Sequence, residues 1–253
     1  MPQNDAYGAW FYAAQQDGSV RSAERVLPVV LDLVQPSSVV DLGCGTGAWL
    51  ATALRLGAGT VLGVDGPWVT EETLHIPFDS FLSHDLSQPL DVEELRPDGP
   101  GSRFGLAMSL EAAEHLDADR ADSFIANLCA LSECVLFSAA IPGQTGSDHR
   151  NEQWPPYWRA RFERQGHQLV DCLRSRLWAD PEVEPWYAQN AYLYVSTERL
   201  AADERLREAA SENDQIPLTA VHPGVLALFS KPYAPPNPEP VRRQAAPMRF
   251  RST

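Results

Sequence analysis

Lysine is almost missing from this chain: Lys231 is the only one among 20 basic residues, so the other 19 are arginines. That withholds the usual amine for a Schiff base and the lysine of a phosphate-gripping P-loop. Basic charge is scarce as a whole, since 34 acidic residues against 20 basic ones leave a net charge of −14. Nucleic-acid binding rests on Lys and Arg neutralising phosphates, so this balance, with no basic run, argues against nucleic acid or an anionic membrane as partner. Cysteine is sparse too. Cys44, Cys129, Cys134 and Cys172 form no CxxC pair and read as small buried hydrophobes rather than a disulfide framework. No apolar run nears the roughly 20 residues of a membrane helix. The start, Met1-Pro2-Gln3-Asn4-Asp5, lacks the basic and apolar stretches of a secretion signal. The expected location is the cytoplasm, and the oligomeric state is left open.

What is present is enough for one α/β domain with small appendages: 253 residues, 44% apolar and 21% charged. Ser22 to Leu33 reads as an amphipathic helix, closed before Pro36. Ser38–Leu42 and Val61–Asp65 are short apolar runs that read as buried strands. Leu82–Asp85, Phe104–Ser109 and Val135–Ala139 read as three more. Helices are expected at Ala48–Leu56, from Glu111, over Ala118–Leu131 and near Tyr157–Gln165, with Gly166 as a C-cap. This alternation predicts a parallel sheet covered on both faces. Gln168–Leu173 and Ala191–Ser196 are two late strands separated by a long aromatic loop, placed to add an antiparallel strand at one edge. Six of the 21 prolines fall between residues 232 and 247, which marks a disordered tail.

The chemistry concentrates at the strand ends. Asp41-Leu42-Gly43-Cys44-Gly45-Thr46-Gly47 joins the first strand to its helix. Glycines let the backbone turn sharply and approach a ligand closely, and the helix points its N-terminus at the site. The spacing is GxGxG, not the GxGxxG of dinucleotide enzymes, and Asp41 would repel a phosphate but attract an ammonium. Asp65 ends the second strand and suits a ribose diol; His84-Asp85-Leu86 ends the third, where a carboxylate can accept from an exocyclic adenine amine.

Those residues, with Ser109-Leu110-Glu111 after the fourth strand, resemble the class I S-adenosylmethionine-dependent methyltransferases. The resemblance covers about residues 20–200. It implies a Rossmann-like sheet of seven strands, six parallel and one antiparallel, with helices on both faces. It implies that Gly43, Gly45 and Gly47 line the cofactor loop and that Asp41 lies under the methionine portion. Asp65 would hold the ribose hydroxyls, Asp85 and Leu86 the adenine, and Ser109 would border the cofactor. Tyr12 and Arg21 sit in a segment that often closes over the cofactor in this family: Arg21 toward the methionine carboxylate, an aromatic ring toward the sulfonium. The expected division is an N-terminal helical lid over 1–35, the methyltransferase domain over 36–200, a helix and extension over 201–231, and the tail over 232–253.

Glu111, Glu114 and His115 stand at i, i+3 and i+4, so a helix would present all three on one side. Three readings compete. The two glutamates favour a helix N-terminus and His115 packs nearby; or His115 or Glu111 is a general base; or the group, with His149, binds a divalent metal. Some RNA- and quinone-directed methyltransferases have a similar ExxEH motif with a metal, but the third reading is the less favoured, and no metal is included in the expected site.

Thr145 to Gln153 is a polar loop after the fifth strand, followed by Trp154 and Tyr157. Loops at strand carboxyl ends form ligand sites in α/β folds, so His149 joins the candidate catalytic residues. Asn151, Trp154 and Tyr157 become candidate acceptor contacts. The expected activity is methylation of an oxygen or nitrogen of a small molecule. The alternative is attack of the cofactor's own amine on its γ-carbon, giving a four-membered cyclic amino acid and methylthioadenosine. A third is a non-catalytic cofactor-binding partner protein.

Overall fold

Strands buried on both faces should send alternate side chains into two separate cores. The computed structural model, which describes residues 9–211 and 215–229, does this at every central strand. In β1 (Ser38–Leu42), Val39 enters one core while Val40 and Leu42 enter the other. In β4 (Leu106–Leu110), Leu106 and Met108 face the first core and Ala107 the second. In β5 (Cys134–Ser138) and β7 (Tyr192–Ser196), Leu136, Leu193 and Val195 face the first, and Val135, Phe137, Tyr192 and Tyr194 the second.

With β2 (Thr60–Asp65), β3 (Phe81–Ser83) and β6 (His167–Val170) these make one seven-stranded sheet in the order β3-β2-β1-β4-β5-β7-β6. Strand β7 runs antiparallel to both of its neighbours and the other pairings are parallel. The seven-stranded Rossmann-like expectation therefore holds. The order reverses between β1 and β4, and a crevice opens at the carboxyl ends of strands at such a point.

Helices α1 (Ala9–Val34), α2 (Ala48–Arg55) and, after α7 (Thr197–Ala202), α8 (Glu204–Ala210) cover the first face. Helices α3 (Ala121–Leu131) and α4 (Pro155–Arg164) cover the second. On that second face Phe162 and Tyr194 stack at 3.8 Å, and Trp158 is 2% exposed beside Phe137. Trp158 is thus core, not pocket wall. All four cysteines are buried, as expected of small hydrophobes.

Several local expectations change. Helix α1 runs well beyond Ser22–Leu33 and contains Pro28. The aromatic loop between β6 and β7 holds two short helices, α5 (Arg174–Leu177) and α6 (Pro185–Asn190). Strand β3 stops at Ser83, two residues before Asp85. No α-helix starts at Glu111, whose φ of 51° lies in the left-handed region; a single 3-10 turn, Ala113–His115, follows instead. The reason is local. The Glu111 amide is drawn to the end of β5, donating to the Ser138 carbonyl at 3.1 Å and its hydroxyl at 3.0 Å, so the chain leaves β4 at an angle that no helix can continue. The side chain of Tyr12, and the whole proline-rich tail over 232–253, lie outside the described residues.

Candidate active site

The glycine loop is held by Asp65. Its carboxylate, at the end of β2, accepts from Gly45 N and Gly66 N, each at 2.7 Å. Gly43, Gly45 and Gly47 have φ of 86°, 53° and 80°, a region where a Cβ is strained. A Cβ on Gly43 would lie 2.4 Å from the Ala112 side chain, whereas one on Gly45 would meet nothing within 4 Å. The loop is therefore pressed onto the segment after β4 at one glycine and faces open space at the next. Two more of the sequence-expected residues flank it. Ser109 is fully buried with an unpartnered hydroxyl; Leu86 is half-buried, 3.8 Å from the position of a Gly43 Cβ.

Asp41, the residue before the end of β1, lies beside this loop. It is 2% exposed, and its Oδ1 has no hydrogen-bond partner. Burial first, and the Asp65 charge second, push its carboxyl up to about 7. Asp85 is exposed and accepts from Ser87 N at 2.9 Å; hydrogen bonds from Ser87 hold its carboxyl below the usual range. Arg21 is taken up elsewhere: it pairs with Glu184 at 3.1 Å and Glu182 at 3.9 Å. Ser22 and Ser19 of α1 join the same clamp. Ser22 Oγ accepts from Glu184 N at 2.9 Å, and Ser19 lies 3.2 Å from the Tyr187 hydroxyl.

The ends of β4 and β5 are a polar knot. Glu111 accepts from Gln144 Nε2 at 2.7 Å and from Asn190 Nδ2 at 3.3 Å, while Asn190 also donates to Gln144 Oε1 at 3.0 Å. Burial pushes the Glu111 carboxyl up to about 7, with the Gln144, Ser138 and Asn190 hydrogen bonds acting against the rise. Gln144 and Asn190 are both buried. Neither was singled out from sequence as a partner of Glu111, because they lie 33 and 79 residues away from it. The available signal was the presence of amides where apolar residues are the rule.

The i, i+3, i+4 expectation of a shared helix face fails with the helix. Glu111 points to Gln144, Glu114 is fully buried and His115 is exposed. The tertiary structure nonetheless brings Glu114 and His115 to His149. One ligand atom from each lies within 4.8 Å of the others, and the two imidazoles meet edge-on at 4.9 Å. Neither carboxylate oxygen of Glu114 has a partner in hydrogen-bond geometry, and burial, then the Glu111 charge, raises its carboxyl well above the ordinary value. Partial desolvation and the His149 ring hold His115 below its usual value.

The loop from 141 to 154 is tied down by Glu152. Its carboxylate accepts from Gly143 N and Thr145 N, each at 2.8 Å, and lies 2.9 Å from His149 Nδ1. The Glu114 carbonyl accepts from Arg150 N at 2.8 Å and Asn151 N at 2.9 Å, which joins loop to turn. Asn151 is buried; its Oδ1 accepts from Gln153 at 3.0 Å and its Nδ2 has no partner. Trp154 is 37% exposed. Tyr157 lies under the Arg161 guanidinium, 3.4 Å from its ring centre.

Comparison with known proteins agrees with this architecture. A family model described as a methyltransferase domain matches residues 12–176, well over half of the chain. Among solved structures, Streptomyces venezuelae DesVI is 12% identical, with 78% of this chain and 100% of that one covered at a TM-score of 0.52. CalS10, an amino pentose methyltransferase from Micromonospora echinaspora solved with its cofactor, is 14% identical over 78% and 100% of the two chains, at a TM-score of 0.50. An O-methyltransferase family protein from Burkholderia thailandensis is 16% identical, covering 75% of this chain, at a TM-score of 0.49; this chain spans 60% of its length. At these identities the first two likenesses speak to fold alone. No curated protein sequence matches the chain. Through the family model and the sheet order, the chain belongs to the class I S-adenosylmethionine-dependent methyltransferases.

Proposed function

We propose that this chain moves the methyl group of S-adenosylmethionine to an oxygen or nitrogen of a small organic acceptor, with Glu111 taking the acceptor's proton. The observation that supports this reading is a pair of carboxylates, Asp41 and Glu111, at the ends of the neighbouring strands β1 and β4. Both are pushed up to about 7 by burial.

The residues present fit the cofactor. Asp41 brings an unpartnered buried oxygen that a cationic amine would satisfy. Gly45 leaves the face of the loop open to close approach. Each Asp65 oxygen takes one backbone N–H and keeps lone-pair capacity for a ribose hydroxyl. Leu86 and Asp85 would meet the adenine, with Ser109 at the floor. When bound, the sulfonium supplies an electrophilic methyl group. The chain's own work is to align the acceptor and exclude water.

Glu111 is suited to hold a proton, because a general base works best with a pKa near the working pH. Gln144 and Asn190 fix where its carboxylate points. Of the other candidate bases, His115 and His149 face one another around Glu114. Asn151 offers an unpartnered amide and Trp154 an exposed ring for the acceptor. The net charge of −14 favours neutral or cationic acceptors over polyanions.

Mass spectrometry of products made with the cofactor, alone and with panels of hydroxylated and amino compounds, tests this. Acceptor-dependent S-adenosylhomocysteine is the expected product. Glu111→Gln is expected to lower kcat about 10²-fold or more with cofactor affinity retained. Methylthioadenosine formed without acceptor would overturn the reading in favour of attack on the aminopropyl chain. Tight S-adenosylhomocysteine binding without turnover on any acceptor would overturn it in favour of a binding protein.

A further inference from the structure

A side-chain amide has an accepting oxygen and a donating nitrogen of nearly the same shape, so only its hydrogen bonds decide which way round it sits. Glu111 needs donors. Its two amide partners, Gln144 and Asn190, could each turn an oxygen toward it instead. An amide oxygen against a buried carboxylate repels it and leaves N–H groups unpaired. Gln144 is turned the right way by the main chain of its own loop, since Ile141 N lies 3.4 Å from its Oε1. Asn190 has no such local guide and takes its orientation from the C-terminal segment. His222 N donates to Gln189 Oε1 at 2.7 Å. A backbone N–H can only donate, so this end has a fixed polarity. Gln189 then presents its Nε2 to Asn190 Oδ1, at 2.8 Å. Asn190 in turn presents its Nδ2 to Glu111 Oε1 at 3.3 Å and to Gln144 Oε1 at 3.0 Å. One main-chain amide thus sets the direction of two side-chain amides in line. Gln189 and Asn190 are both buried, which keeps water from competing for these groups.

His222 belongs to residues 215–229, which lie beyond the residues 12–176 that the family model matches. The seat of this segment is built from buried polar groups. Arg174 is fully buried and held by the Asp171 carboxylate, and it donates to the carbonyls of Ile216 and Pro217. Gly224 N donates to His222 Nδ1 at 3.0 Å. That leaves the ring proton on Nε2, which donates to the Trp178 carbonyl at 2.6 Å. Helix α9 (Pro223–Phe229) follows, with Val225 buried. It lies so close to α6 that a Cβ on Gly224 would come within 2.8 Å of the Pro185 side chain.

We propose that residues 215–229 position the Glu111 carboxylate, through His222 N, Gln189 and Asn190 in series. Gln189 is a positioning residue, because it reaches Glu111 only through Asn190. The segment outside the matched family region is then part of what aligns the reaction, and α6 is the beam that carries its effect to the end of β4. The proposal rests on the reading of Glu111 as the group that takes the acceptor's proton.

The test uses the full chain labelled with ¹⁵N-asparagine, in which the side-chain NH₂ signal of Asn190 is assigned by its loss in Asn190→Ser. Gln189→Met keeps the side-chain length but neither donates nor accepts in place of the amide. It is expected to shift that signal and to speed its exchange with water by about tenfold or more. It is also expected to lower kcat about tenfold with KM for the cofactor unchanged, less than the loss in Glu111→Gln because the base itself remains. Gly224→Val leaves Gln189 in place and wedges α9 away from α6; it should move both readouts in the same direction. In a Glu111→Gln background, Gln189→Met should lower kcat no further, since the two act through one carboxylate. Circular dichroism confirms that each variant is folded. An unmoved Asn190 signal in both variants overturns the proposal. So does a moved signal with kcat unchanged, or a kcat loss that persists in full in the Glu111→Gln background, the mark of a merely structural role. If the unaltered chain makes no S-adenosylhomocysteine with any acceptor, the reading of Glu111 as the base fails. The Asn190 signal needs no turnover and still decides whether the segment aims the amide.

Discussion

At the ends of β1 and β2 the site is made of main chain. Three glycines in the left-handed region form a loop within seven consecutive residues, and one carboxylate, Asp65, pins it through two amides. At the ends of β4 and β5 the site is made of side chains. Glu111, Gln144 and Asn190 bond one another, and Glu114 and His115 meet His149, across segments up to 79 residues apart. The first region tolerates almost no Cβ at Gly43 because backbone and neighbour are in contact. The second tolerates left-handed residues that are not glycine, Glu111, Thr145 and Asp148, because its hydrogen bonds hold them. In the reading proposed above, the glycine loop serves the cofactor through its backbone, and the ends of β4 and β5 serve the acceptor through their side chains.

The largest expected effect separates the two jobs within the loop itself. Gly43→Ala places a Cβ 2.4 Å from Ala112 at a φ of 86° and is expected to cost roughly 2–3 kcal/mol of stability. Gly45→Ala meets nothing within 4 Å; it should cost only about 1 kcal/mol from its backbone conformation, yet weaken S-adenosylhomocysteine at least tenfold. Thermal denaturation with and without that ligand measures both. An unchanged melting temperature in Gly43→Ala would break the contrast.

Next is the pH dependence shared by the two regions. Asp41 and Glu111 both have folded carboxyls raised to about 7. In the window between the ordinary carboxylate range and about 7 the folded protein therefore holds more protons than the unfolded chain, and stability falls as pH rises through it. Asp41→Asn and Glu111→Gln should each flatten part of that slope in denaturant titrations run from pH 4 to 8. Their functional consequences should differ. Asp41→Asn is expected to weaken the cofactor with kcat little changed at saturation, and Glu111→Gln to lower kcat with cofactor affinity kept. Identical kinetic defects in the two variants would show that the regions are one unit.

The smallest effect is at the exposed rim. Asp85→Ala removes a carboxylate bonded to Ser87 N and should change stability by less than about 0.5 kcal/mol. Its cofactor affinity should fall about fivefold, the value of a single hydrogen bond. Isothermal titration with S-adenosylhomocysteine reads it, and a loss as large as that of Gly45→Ala would move Asp85 from the rim to the centre of the site.

The contrast also explains what the sequence made legible. Apolar runs that carry Asp41 and Asp65 at their tips announce strands, and the late runs Gln168–Leu173 and Ala191–Ser196 announce two more, although the reversed one, β7, lies inside the sheet between β5 and β6 and not at its edge. These signals are carried by neighbours in the chain. Glu111-to-His115 misled for the same reason: its spacing fits a helix, while the bond from the Glu111 amide to Ser138 comes from another strand and prevents one. Arg21 was available by sequence for a ligand carboxylate, and Glu184, 163 residues away, takes it in the fold.

The sequence alone settled the alternation of strands and helices, the glycine turn and the acidic strand ends, because hydrophobic period and backbone freedom are local properties. Only the tertiary structure decided which polar residues share a buried space. It put Gln144 and Asn190 on Glu111, and His149 beside Glu114 and His115. Burial strengthens electrostatic interactions between groups that the chain keeps far apart, and that proximity exists only once the sheet has brought its strand ends together.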